Sequence, residues 1–244
     1  MNFGKKKGNI PYRKAYLSLT RPGVPVCTKK EVFMNRLSFK PLLSAQASTL
    51  AALALVLLPF SSLATNKTEI TERGVAHFEA AIPPKVRVAL HIRSGEIRIV
   101  GSEDGKLSVD ISGRNKDKID DLRYRLTSSA ESAELHISGG PRNDLTIEVH
   151  VPRNLELYAR IPAGDVTVEN VNASKDVQLH AGDLTIYVGN PADYSRVEAS
   201  VMAGDIEASP FGESHGGLFR SFKKSGSGKL TLYAHVGAGD LTLK

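Results

Sequence analysis

The chain has 244 residues, with 32 Lys+Arg against 26 Asp+Glu and a formal net charge of +6. Its 41% hydrophobic and 24% charged residues exclude wholesale disorder. A single Cys excludes an intrachain disulfide framework and a Cys-based zinc site.

The charge is unevenly placed. Residues 1–40 hold ten basic side chains and one acidic one, and residues 41–64 hold neither. Residues 65–244 hold 22 basic and 25 acidic side chains, a net of −3. The basic excess belongs to the leading segment and gives no support for nucleic-acid binding.

In chain order, Met34–Lys40 is a short basic stretch, and Leu50–Phe60 is an uncharged apolar run. Ser62-Leu63-Ala64 then has small residues at signal-peptidase spacing. This predicts a signal peptide over 34–64 with cleavage after Ala64, the alternative being an uncleaved anchor. Residues 1–33 read as an upstream extension absent from the mature protein, the alternative being a cytoplasmic basic arm. Cys27 precedes the apolar run, so it is not a lipoprotein acylation site. Residues 65–74 are expected to be a short linker, and 75–244 one domain without a transmembrane segment.

From residue 75 onward, apolar residues alternate with polar ones, as in Val86–Ile92, Glu96–Val100, Lys106–Ile111, Leu122–Leu126, Glu134–Ile137 and Leu145–Val151. Period two places one side of each segment on a core and the other in water. Turn signals separate the runs: Ser94-Gly95, Glu103-Asp104-Gly105, Gly139-Gly140-Pro141 and Pro152-Arg153-Asn154. The domain is predicted to be all-β.

A repeat fills the second half. Ala163-Gly164-Asp165-Val-Thr-Val returns as Ala181-Gly182-Asp183-Leu-Thr-Ile, Ala203-Gly204-Asp205-Ile-Glu-Ala and Ala238-Gly239-Asp240-Leu-Thr-Leu, with a degenerate copy at Ser94-Gly95. Gly supplies a sharp corner, Asp can bond the backbone amides that the corner exposes, and a short strand follows. Val166/Val168, Leu184/Ile186, Ile206/Ala208 and Leu241/Leu243 are expected inside, with Thr167, Thr185, Glu207 and Thr242 outside. Such units cannot bury their apolar faces alone. Stacking them predicts a β-solenoid, or β-helix-like, array of short strands.

The block Leu145–Ile186, with its Val-Pro strand end and its small-Gly-Asp-hydrophobic turns, resembles the bacterial putative-adhesin domain family. The resemblance spans about 75–244. It implies a β-solenoid in a cell-envelope protein without catalytic residues, exported to the periplasm, cell surface or medium. The implied function is a non-enzymatic, adhesin-like interaction module whose partner is an envelope protein or glycan. A carbohydrate-binding or carbohydrate-active β-helix protein and an envelope stress-signalling scaffold are the alternatives.

No catalytic, cofactor or metal residues are predicted. The aspartates read as turn caps rather than calcium ligands. The seven histidines lack His-x-His or His-x-x-x-His spacing, although stacked strands could align several of them. Residues 209–229 interrupt the repeat. Phe211, Phe219, Arg220 and Phe222 make them a possible binding loop, or a flap that packs its rings on the core. The terminal strand Leu241–Leu243 is expected to be an edge open to self-association.

Overall fold

In the computed structural model, which describes residues 67–141 and 144–244, the alternating segments form sixteen strands. They are β1 (Thr68–Arg73), β2 (His77–Ala81), β3 (Arg87–Ile92), β4 (Glu96–Ser102), β5 (Lys106–Ser112), β6 (Arg123–Ser128), β7 (Ser132–Ser138) and β8 (Thr146–Pro152). β9 (Leu157–Ala163), β10 (Val166–Glu169), β11 (Lys175–Ala181), β12 (Leu184–Ile186), β13 (Tyr194–Ala208), β14 (Glu213–Ser225), β15 (Leu230–Ala238) and β16 (Leu241–Leu243) follow. Two single 3-10 turns, Pro191–Asp193 and Ser209–Phe211, are the helical pieces among the described residues. The fold is all-β. The expected signal peptide and upstream extension lie outside the described residues, which belong to the unit Phe60–Lys244.

The strands make one sheet, wrapped into a nearly closed, barrel-like layer pair. On one face the order is β1-β6-β7-β3-β9-β11-β15 and then the first half of β13; the second half of β13 begins the other face, β16-β12-β10-β4-β8-β5-β2. Five couples of consecutive strands, β3/β4, β9/β10, β11/β12, β15/β16 and the two halves of β13, stack parallel to one another, and each turns from one face to the other at a repeated glycine. Inward residues of both faces form one core, and Val166, Val168, Leu184, Ile186, Ile206, Ala208, Leu241 and Leu243 are all buried in it. Each such aliphatic side chain contributes on the order of 1.5–3 kcal/mol by leaving water, with Ala208 contributing less.

The corners stack backbone on backbone. Gly164 N–H donates to Ala181 O at 2.9 Å, Gly182 N–H to Ala238 O at 2.8 Å, and Gly239 N–H to Ala203 O at 2.9 Å. At Gly182 the φ of +116° lies in the region L side chains avoid, and a Cβ there would collide with Gly164 O.

The stacking departs from chain order. The last pair, β15/β16, inserts between β11/β12 and β13. The C-terminal strand is therefore no open edge: β16 is paired with β12 on one side and β13 on the other. This corrects the expected self-association site. The expected linker over 65–74 is also corrected, because Thr68–Arg73 pairs antiparallel with β6. Its register comes from main-chain hydrogen bonds, not from burial, since its side chains are almost all exposed.

The far end of the wrap is closed by rings. Phe78 of β2 stacks on Tyr124 of β6, with centroids 5.2 Å apart, and Tyr124 Oη–H donates to Val75 O. Burial pushes the Tyr124 phenol well above its ordinary range.

Candidate functional site

The corner aspartates form a ladder. Asp183 Oδ1 accepts from Asp240 N–H at 3.0 Å, and Asp240 Oδ1 accepts from Asp205 N–H at 2.9 Å. Asp205 Oδ1 accepts from Gly217 N–H at 3.3 Å. The first two bonds join neighbouring corners from distant parts of the chain, and the third ties the Asp205 corner to β14, its own hairpin partner. Asp165 sits at the same corner and contributes through its main chain, its carbonyl accepting from Ile97 N–H at 2.8 Å. The glycines at 95, 164, 182, 204 and 239 hold the same line.

The segment 209–229 divides the residues predicted for it. Phe211 and Phe222 are buried, with Phe211 edge-on to Tyr194 and tilted against Phe222. Neither is presented to a ligand, which corrects their place in a binding loop. Phe219 is 77% exposed and Leu218 66%, and Met202, which the register sets opposite Phe219, is 49% exposed. Arg220 lies beside them, its Nε–H donating to Gly216 O. Phe219 holds a φ of +53°, uncommon for a non-glycine residue. β14 pairs with β13 alone among the described strands, so its outer backbone edge is open. The other two terminal strands differ: β1 carries Glu69, Glu72 and Arg73, and β2 leads into the closing Phe78–Tyr124 stack.

Outward side chains on the first face line up across strands in register. His136, His91, Arg160, Gln178, His235 and Ser200 form one row, and Glu134, Ala89, Tyr158, Asp176, Tyr233 and Glu198 form the next. His91 and His136 stack with centroids 4.5 Å apart and planes within 7°. Glu134 Oε1 lies 2.7 Å from His136 Nε2 and 3.3 Å from His91 Nε2. Burial first, then the His136 and Arg160 charges, push His91 below the ordinary imidazole range, against the pull of Glu134. The Arg160 guanidinium covers the Tyr158 ring at 3.4 Å and pairs with Asp176 at 3.0 Å. Ser200 and His235 Nδ1 share a hydrogen bond of 2.8 Å.

A group that sequence reasoning missed is Lys175, the one buried charged residue among those described, at 1% exposure. Its Nζ donates to Tyr194 Oη at 2.6 Å and to Ala173 O at 3.4 Å, while Tyr194 Oη–H donates to Val188 O at 3.0 Å. No carboxylate shares the site, and burial brings the ammonium down to about 8. Its parity with Val177 and Leu179 was the available signal.

A cleft of about 960 Å³ opens where the strand pairs return to the first face, opposite the corners. It is lined in part by Lys85, Arg87, Glu103, Arg153 and Glu156, with Arg153–Glu103 and Arg87–Glu156 ion pairs across it.

No family model matches the chain, and no curated protein does. Among solved structures, a putative cell adhesion protein from Clostridium sporogenes is 15% identical, with a TM-score of 0.40, over 73% of this chain and 99% of that one. A putative adhesin from Bacteroides fragilis is 13% identical, with a TM-score of 0.23, over 72% of this chain and 97% of that one. Likenesses this slight carry no argument for the fold or the role. None of the described helical turns is long and apolar enough to cross a membrane.

Proposed function

We propose that this chain is an exported, non-enzymatic, adhesin-like interaction module of the cell envelope, built on a β-solenoid in which stacked corners present the β14 edge to a partner. The observation that carries the reading is the open 13-residue edge of β14 with Leu218, Phe219 and Met202 exposed together at its corner. Exposed apolar side chains beside unpaired backbone N–H and C=O groups suit an extended segment of a partner protein, added as a further strand. The second face supports an interaction role over sugar processing. Thr167, Thr185, Thr242 and Glu207 make an even polar row in register, with Tyr187 as a single exposed ring beyond its edge.

The test is capture of envelope proteins by the wild type and by Leu218→Ser/Phe219→Ser. A defined partner bound by the first and lost by the second supports the reading; equal capture by both overturns it. A second reading, glycan binding, is favoured by the carboxylate- and arginine-lined cleft. A glycan array on which Arg153→Ala abolishes a signal would support it.

A further inference from the structure

The His91–Glu134–His136 cluster lies on β3 and β7, far along the sheet order from β14, and its reading does not rest on the proposal above. We propose that these three side chains are a site for a divalent first-row transition-metal ion such as Zn²⁺, with an open coordination position facing solvent.

The site is made across strands. His91 and His136 are direct partners in the parallel β3–β7 pair, so both imidazoles leave the same face side by side. Glu134 is two residues before His136 on β7 and points the same way. Its own partner on β3 is Ala89, whose small side chain leaves room for the carboxylate to lean toward the rings. The outcome is one carboxylate oxygen against two Nε2 atoms, with the three ligand atoms all within 4.8 Å of one another.

Tetrahedral zinc with Zn–N and Zn–O bonds of about 2.0–2.2 Å sets ligand atoms roughly 3.3–3.5 Å apart. The carboxylate-to-imidazole separations are 2.7 and 3.3 Å, and binding requires the two stacked rings to rotate out of their near-parallel planes so that their in-plane Nε2 lone pairs converge on one ion. Two imidazoles select zinc, copper or nickel over calcium or magnesium, which take oxygen ligands. Two cations flank the site. Arg160 is held by Asp176 and Tyr158, and Arg125 stands across β6 from His136. They weaken the field of the cluster without occupying it. Two histidines and one glutamate leave the fourth position to water or to a donor atom from another molecule.

Calorimetric titration of the full chain with ZnCl₂ tests this, beside His91→Ala, Glu134→Gln and His136→Ala. His235→Ala, on the same face but bonded to Ser200, is the control. One ion per chain is expected, with each of the three variants weakening binding by about tenfold or more, the control unchanged, and no heat from CaCl₂. Absence of Zn²⁺ binding, or binding that the three variants leave intact, overturns the proposal. Thermal melts without metal report whether each variant folds. If one does not, the imidazole resonances of the wild type decide: Zn²⁺ must shift those of His91 and His136 first. Shifts confined to the other histidines would contradict the assignment.

Discussion

Lys175→Met is expected to stabilise the protein at neutral pH and to flatten its response to alkali. The ammonium falls from its ordinary 10.5 to about 8 in the folded chain because burial strips its water and no carboxylate replaces it. Below pH 8 both folded and unfolded chains carry the proton, and the native state bears the whole penalty. Between about 8 and 10.5 the unfolded chain still binds a proton that the native chain has released, so stability rises with pH. The shift corresponds to roughly 3 kcal/mol in all, of which roughly 2 kcal/mol is recovered between pH 7 and 9.5. A neutral amine has two N–H groups, matched by Tyr194 Oη and Ala173 O; the ammonium has a third. Methionine gives up both bonds, at about 0.5–1.5 kcal/mol each, so the variant should gain about 1 kcal/mol at pH 7 and lose that advantage by pH 9.5. Urea denaturation of both proteins at half-unit steps from pH 6.5 to 9.5 gives the difference curve. Stopping there keeps clear of the tyrosines, whose ionisation in the unfolded chain near 10 pulls stability the other way. Parallel curves for wild type and variant would refute the reasoning.

Gly182→Val should lower stability by at least about 3 kcal/mol, because a side chain at φ +116° meets Gly164 O, and a thermal melt would show it. Asp240→Ala should cost about 1 kcal/mol in chemical denaturation through the lost bond to Asp205 N–H, with Asp240→Asn recovering most of it. Phe222→Ser should destabilise by about 3 kcal/mol, while Phe219→Ser stays within about 0.5 kcal/mol of wild type by the same assay. In a proton NMR titration His77, hydrogen-bonded to Asp110, should titrate above the ordinary imidazole range and His91 below it.

The corners were readable because each needs the same local chemistry: a small residue, a glycine at positive φ, an aspartate and an inward-facing pair. Ala163–Val168 and Ala238–Leu243 show it within six residues each. Stacking order was not readable. Nothing local distinguishes β16 beside β12 from β16 at the end of the stack, since near-identical corners fit either neighbour. β1 was missed because Thr-Glu-Ile-Thr-Glu-Arg has one aliphatic residue and gains its place from main-chain bonding. The separate roles of Phe219 and Phe222 follow from strand pairing that composition does not reveal. His91 and His136 are joined by register between distant strands, so ligand spacing along the chain could not find them. Lys175, by contrast, is legible in the alternation of β11, where it shares the inward parity of Val177 and Leu179 although lysine is seldom inside.

The measurement closest to the central claim is site-specific photo-crosslinking from position 219 in the intact envelope, beside the same probe at Thr185 on the even second face. The β14-edge account predicts a discrete protein adduct from 219 that Leu218→Ser removes, and none from 185. Adducts of equal yield from both positions, or a 219 adduct indifferent to Leu218, would contradict it.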